Sequence, residues 1–366
     1  MIILLLCDSL HLAQEQPHLM ELPRKILIGS TVISGLGNFI RQLDHNFSKV
    51  AVISGEQVKE RTQVICQKSM EAADLRDCKW FRATDATMSE AARLTRVLKR
   101  YSPDLIVGQG GGRSVDLAKM TAYNLGKAFI SVPTSASHDG ISSPFVSMRG
   151  SDKPYSIKAQ APVGVLADVE LMSKAPRRLM ISGCGDLVGK ITAVKDWELA
   201  RDEVNEYYGT YAANLAYLSA RIILNEGRNL VKDRLYGLRT VVEALISAGV
   251  ASCIAGSSRP CSGSEHLFSH AVEYVAGKNS GLHGERVGIG TIMMAKLHGL
   301  DWEKISDTLT VFGAPTRGKQ INLTDDQVIQ SLVLASSLRP DRFTILNKEK
   351  LDKNKAASLA RAAKVI

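Results

Sequence analysis

The six cysteines of this 366-residue chain never fall into a C-x-x-C pair. Their scatter (Cys7, Cys66, Cys78, Cys184, Cys253 and Cys261) argues against a zinc ribbon, a redox dithiol and a disulfide framework, and favours reduced thiols in a cytoplasmic compartment. No window of about 18 uninterrupted apolar residues is present, so stable membrane insertion is not expected. The opening run from Ile2 to Cys7 lacks a basic flank and is shorter than a secretory core of roughly 7–15 residues. The formal net charge of +9 is not gathered into an aromatic-interleaved basic stripe. That dispersal argues against nucleic acid as a partner and leaves an anionic small molecule as the one the charge favours. Internal repeats, low-complexity tracts and an obvious flexible linker are also missing.

What is present is an ordinary globular composition, 45% apolar and 23% charged, over a length that exceeds one hydrophobic core. Met20, followed by "ELPRKILIGS", reads as the start of the fold, with residues 1–19 an extension expected to be disordered. Over residues 20–170 short β-rich runs alternate with helical patterns, as in stacked βα units around a parallel sheet. "KVAVISG" (49–55), "DLIVGQGGG" (104–112) and "KAFISVPT" (127–134) read as buried strands. "SEAARLTRVLKRY" (89–101) reads as a helix with Ala92, Leu94, Val97 and Leu98 inward. Beyond Leu171 long three-to-four residue periodicities dominate, so residues 171–366 are expected to be all-helical. The predicted fold class is an α/β N-terminal Rossmann-like domain with a parallel sheet plus an all-α C-terminal domain, meeting in a packed cleft where ligands bind.

Two stretches at the sheet edge carry chemistry. "VGQGGGRSVDLAK" puts three glycines between a strand and a helix beginning near Ser114, where free amides suit a dinucleotide pyrophosphate. A tight turn capped by Ser114 is the plain alternative. The next strand ends in "VPTSASHDGISSPFVS", with seven polar side chains on a connection that needs few, a solvated Ser-rich loop with Asx-type turns being the plain alternative.

The third stretch is "CSGSEHLFSHAVEYVAGKNSGLHGERVG". On a helix His266 and His270 share a face, Glu273 falls close to it, and His283 follows a glycine-containing turn. Spacing alone assigns these histidines as metal ligands suited to zinc, against the alternative of buried hydrogen-bonded imidazoles. Asp186 in "SGCGDLVGK" stands at an expected helix start, as a further metal carboxylate or as a simple cap.

Together, "GQGGGRSVDLAK", "VPTSASHDGISSPFVS", "GCGDLVGK", "SSRPCSGSEHLFSH" and "LHGERVG" resemble the archaeal sn-glycerol-1-phosphate dehydrogenases over residues 20–366. That family lies within the dehydroquinate synthase, glycerol dehydrogenase and iron-type alcohol dehydrogenase superfamily. The resemblance implies a dehydroquinate synthase-like fold and binding of NAD(H) or NADP(H) by Gly112, Arg113, Ser114, Val115, Asp116, Thr134, Ser135, Ala136, Ser137 and Ser143. It implies Zn²⁺ held by Asp186, His266 and His283, with Asp139, Asp186 and His270 facing the substrate. Asp139 and His270 are then the catalytic candidates, so the helical histidine pair divides between ion and substrate. The implied reaction is reversible reduction of dihydroxyacetone phosphate to sn-glycerol 1-phosphate for ether phospholipid synthesis, by a homo-oligomer. A glycerol dehydrogenase and a dehydroquinate-synthase-like lyase are the alternatives. Arg259, Lys158 and Lys190 are unranked candidate partners for the phosphate and equally well solvated surface charges, and Glu56 is a candidate for the cofactor ribose.

Overall fold

The computed structural model describes residues 18–148 and 156–366. Most of the expected N-terminal extension, residues 1–17, lies outside them. Six strands form one parallel sheet: β1 (Lys25–Gly29), β2 (Lys49–Ser54), β3 (Asp77–Arg82), β4 (Leu105–Gly110), β5 (Ala128–Pro133) and β8 (Gly164–Asp168), in the order β1-β8-β5-β4-β2-β3. Two short strands, β6 (Phe145–Ser147) and β7 (Ser156–Lys158), make an antiparallel ribbon beside it. The sheet is covered on both faces, as parallel sheets require. Alternate residues serve opposite cores: Val50, Val52, Leu105 and Val107 pack on one side, and Ala51, Ile53 and Ile106 on the other.

Helices α1 (Leu36–Leu43), α2 (Glu56–Ala72), α3 (Met88–Tyr101) and α4 (Gly112–Leu125) belong to this part. In α3 the buried stripe is Ala91, Leu94 and Leu98. Ala92 and Val97, expected inward, are exposed, because the 3.6-residue period carries the stripe through 91, 94 and 98. Likewise α4 begins at Gly112, two residues before the expected start, with Gly111 at its N-cap and no side-chain cap.

After β8 the chain is helical. Here α5 (Val169–Ser173), α6 (Arg177–Val188), α7 (Lys190–Val204), α8 (Thr210–Lys232) and α9 (Arg234–Ala255) lead to α10 (Ser264–Ala276) and α11 (His283–Leu297). The chain closes with α12 (Trp302–Phe312), α13 (Asp325–Leu338), α14 (Ile345–Glu349) and α15 (Lys353–Ala362). Among the described residues α9 alone is long and apolar enough to cross a membrane, but 67% of that apolar window is buried inside the protein. The largest core joins these helices to Val165 and Ala167 of β8 and to Ala136 and Ile141 of the loop after β5, so the two parts share a continuous interior.

Candidate active site

The sheet edge is organised by register. Gly110 at the end of β4 stands opposite Pro133 at the end of β5, so the two following loops leave side by side. The Thr134 amide ties them by donating to the Gly110 carbonyl at 2.9 Å. Gly110 has φ of 148°, a conformation that favours glycine. Gly112 is required for a different reason: a Cβ there would lie 2.0 Å from Nε2 of His138. The turn therefore presents main-chain amides at an uncapped helix N-terminus, an arrangement suited to an anionic phosphate.

The residues of the expected cofactor set differ in what they offer. Ser135 is buried beside Gly111, its Oγ 3.4 Å from where a Cβ on that glycine would stand. Thr134 and Ser137 are half-buried, Ser114, Ala136 and Ser143 buried. Val115 packs into the core beneath the sheet and can contribute only main chain to a ligand. Arg113 is exposed and lies 3.4 Å from Asp85. Asp116 turns inward, where Oδ2 accepts the Ser147 amide at 3.0 Å, and burial raises its carboxyl above the ordinary value. Glu56 opens α2 beyond β2 and pairs with Lys59 at 3.6 Å. The loop carrying Asp139 and Ser143 is pinned by Lys119, whose buried ammonium donates to the carbonyls of Gly140, Ser143 and Phe145 at 2.6–2.7 Å.

On the helical side, Asp186 lies in the last turn of α6 rather than at a helix start. The glycines that suggested a turn serve close packing instead. A Cβ on Gly185 would stand 2.2 Å from the carbonyl oxygen of Gly284, and one on Gly284 only 1.8 Å from that of Ser182. Helices α6 and α11 thus touch main chain to main chain, which brings Asp186 against His283, the first residue of α11. On the sheet side, a Cβ on Gly183 would likewise stand 2.2 Å from the carbonyl oxygen of Ala136.

Asp186, His266 and His283 converge so that one ligand atom from each lies within 4.8 Å of the others. Asp186 Oδ1 is 3.3 Å from His266 Nε2 and 3.6 Å from His283 Nε2. The donor set, two imidazoles and a carboxylate, suits a borderline divalent ion such as zinc. The surroundings fit as well. His266 Nδ1 lies 2.7 Å from Glu265 Oε1, and an ionised carboxylate only accepts, so a proton sits on Nδ1, and Nε2, which faces Asp186 Oδ1, is the nitrogen that would release its proton to bind an ion. Glu265 is held in turn by the Thr192 hydroxyl and the Gly263 amide, each donating at 2.7 Å. Sequence reasoning passed over Glu265, although its place next to His266 in the first turn of α10 was the available signal.

Electrostatics sort these groups. Burial would raise the Asp186 carboxyl, but Lys190 and the two imidazoles outweigh it and hold it well below the carboxylate range. Burial lowers His283 to about 4 and His270 well below its ordinary value, so both are neutral at pH 7. His266 is raised, since its bonds to Asp186 and Glu265 overcome burial. The His270 ring lies 6.3 Å from that of His283 and the His266 ring 5.1 Å, so all three imidazoles crowd one place. Glu273, by contrast, pairs with Arg286 at 3.1 Å. Asp139, contributed by the sheet side, reaches the cluster through Lys190, whose Nζ is 2.7 Å away, and its amide donates to Asp186 Oδ2 at 3.2 Å.

Two candidates for the phosphate are already engaged. Lys190 is fully buried among carboxylates, and the guanidinium of Arg259 is paired with Glu206. Lys158 is exposed and donates to the Gly256 carbonyl at 3.4 Å.

The sequence profile of the iron-containing alcohol dehydrogenases matches residues 27–176. A probable glycerol dehydrogenase from Sinorhizobium meliloti superimposes with a TM-score of 0.76 over 95% of this chain and 98% of its own, at 18% identity. The fold is therefore that of the glycerol dehydrogenase and iron-containing alcohol dehydrogenase class. Sequence relatives narrow it. A glycerol-1-phosphate dehydrogenase (NAD(P)+) of Nitrosopumilus maritimus is 52% identical over 95% of this chain and 97% of its own length. One of the same name from Hyperthermus butylicus is 44% identical over 95% and 99%. The chain belongs to the glycerol-1-phosphate dehydrogenase family.

Proposed function

We propose that this protein reduces dihydroxyacetone phosphate reversibly to sn-glycerol 1-phosphate, using NADH or NADPH and a zinc ion, to supply the backbone of ether phospholipids. The observation that carries the reading is the meeting of Asp186, His266 and His283 from the helical side with Asp139 from the sheet side at one place. The free thiols of Cys66, Cys78, Cys184, Cys253 and Cys261 support a reducing, cytoplasmic setting. We read the working form as a homo-oligomer, which light scattering of the purified protein tests.

When bound, zinc supplies Lewis-acid polarisation of the ketone and the reduced nicotinamide supplies the hydride. The chain's own residues do the rest. Asp186, His266 and His283 hold the ion, and Glu265 fixes the ring of His266. The Gly110–Gly112 turn receives the pyrophosphate on main-chain amides, with Gly112 to Asp116, Thr134 to Ser137 and Ser143 forming the cofactor side. Asp139, Asp186 and His270 face the substrate. Neutral His270 offers a hydrogen bond to the substrate oxygen without repelling the ion, and it heads the proton relay, with bound water or the cofactor ribose, that completes the alcohol.

The test is direct. Purified protein mixed with dihydroxyacetone phosphate should oxidise NADPH or NADH, lose that rate on prolonged chelation and regain it with zinc. Glycerol oxidised far better than its phosphate would replace this reading with a glycerol dehydrogenase, and turnover without net absorbance change with a lyase.

A further inference from the structure

Lys190, the first residue of α7, is 0% exposed. Its Nζ lies 2.7 Å from Asp139 Oδ2, 3.0 Å from Asp186 Oδ2 and 3.2 Å from the Cys261 carbonyl oxygen. An ammonium has three N–H bonds, so these acceptors use all of them and leave none for a substrate phosphate. The two oxygens of Asp186 are thereby divided. Oδ2 accepts Lys190 and the Asp139 amide, while Oδ1 faces His266 and His283.

We propose that Lys190 is a positioning residue that makes Asp186 a one-oxygen ligand, through Oδ1, and holds Asp139 off the metal so that a coordination position stays open for substrate. The inference rests on the metal-dependent reading above. Two carboxylates this close repel and would each be drawn to a divalent ion; a buried cation between them satisfies both in place. Without it, Asp186 is free to bind through both oxygens and Asp139 is free to fill the position that the ketone needs. A catalytic ion keeps one position open, whereas a closed one is structural. Lys190 also bridges the two parts of the molecule, since Asp139 follows β5 and Asp186 ends α6. The ion's environment and the placement of the substrate-side carboxylate are therefore set by one side chain.

The test replaces zinc with cobalt(II) in the full-length protein and compares it with K190M and K190Q, the absorption bands of cobalt reporting coordination number. Both variants are expected to bind one cobalt ion per chain but with weaker visible bands, as coordination rises above four. The kcat for dihydroxyacetone phosphate should fall by about 100-fold, while the KM for NADPH stays within roughly threefold, as expected when only reacting-group geometry is disturbed. Variants that keep the parental cobalt spectrum, whether or not kcat falls, overturn the proposal. Should the variants not fold, X-ray absorption of the unsubstituted zinc enzyme decides it: one short carboxylate oxygen supports the proposal and a two-oxygen Asp186 overturns it. A parent protein that binds no divalent ion overturns this inference and the functional reading together. An active, metal-dependent parent with an indistinguishable K190M overturns this inference alone.

Discussion

The sheet edge and the helical cluster make ligand sites by opposite means. At the sheet edge the proposed site is built from main chain: Gly110 and Gly112 clear space, and the amides at the start of α4 stand open to a ligand. At the cluster it is built from side chains of α6, α10 and α11, and glycine only sets how closely the helices approach. A main-chain site is specified by neighbours in sequence and strand register. A side-chain site depends on packing between segments about 100 residues apart, as Asp186 and His283 are. The first should respond to added bulk and the second to lost donor atoms.

Substitutions test that contrast. The largest effect is expected from His266→Ala, which should empty the metal site and lower turnover about 1,000-fold, the worth of several kcal/mol of Lewis-acid stabilisation. Elemental analysis alongside the assay checks it, and retention of the ion would break the comparison. Gly112→Ala should spare the metal but raise the KM for cofactor by about 100-fold, because His138 must give way and displace the amides. Asp139→Ala should keep the metal and cut kcat by a comparable or smaller factor, near 100-fold; loss of metal there would mean that the roles of Asp139 and Asp186 are wrongly divided. Thr192→Val removes one bond to Glu265 and should weaken zinc affinity by only about 10-fold, measurable by competition with a chelator.

Acid offers a gentler probe of the helical side. His270 and His283 are both lowered in the folded chain, His283 to about 4. Below about pH 6.5 the unfolded chain takes up protons on these rings and the folded metal-free chain does not, so stability falls with pH through that window. His266, being raised, contributes in the opposite sense and offsets only part of the loss. Thermal melts of metal-free protein between pH 7 and pH 4 should show the decline, and a flat profile would remove the burial argument.

The sheet side was readable because strand patterning, glycine turns and polar loops are local signals. The apolar run of "KVAVISG" and the position of "GQGGG" after a strand needed no distant partner. The histidine stretch was readable in part: the four-residue spacing put His266 and His270 on one helix but could not divide them between ion and substrate. Asp186 was misread because "SGCGDL" looks like a helix start. Its glycines answer to the Gly284 and Ala136 main chain, a reason held in another part of the chain. The place of Lys190 was open for a similar cause. A lysine near a phosphate substrate suggests an anion anchor; Asp186, four residues earlier, was a local signal of the pair, but nothing local reveals Asp139 as the second carboxylate.

The seam between Gly185 and Gly284 acts as a fixed gauge for the ion. Rotamer changes cannot widen a gap whose two faces are both backbone, so the main chains that carry Asp186 and His283 keep one separation. The seam thus sets the spacing of α6 and α11, while the Glu265 contact steadies the donor on α10.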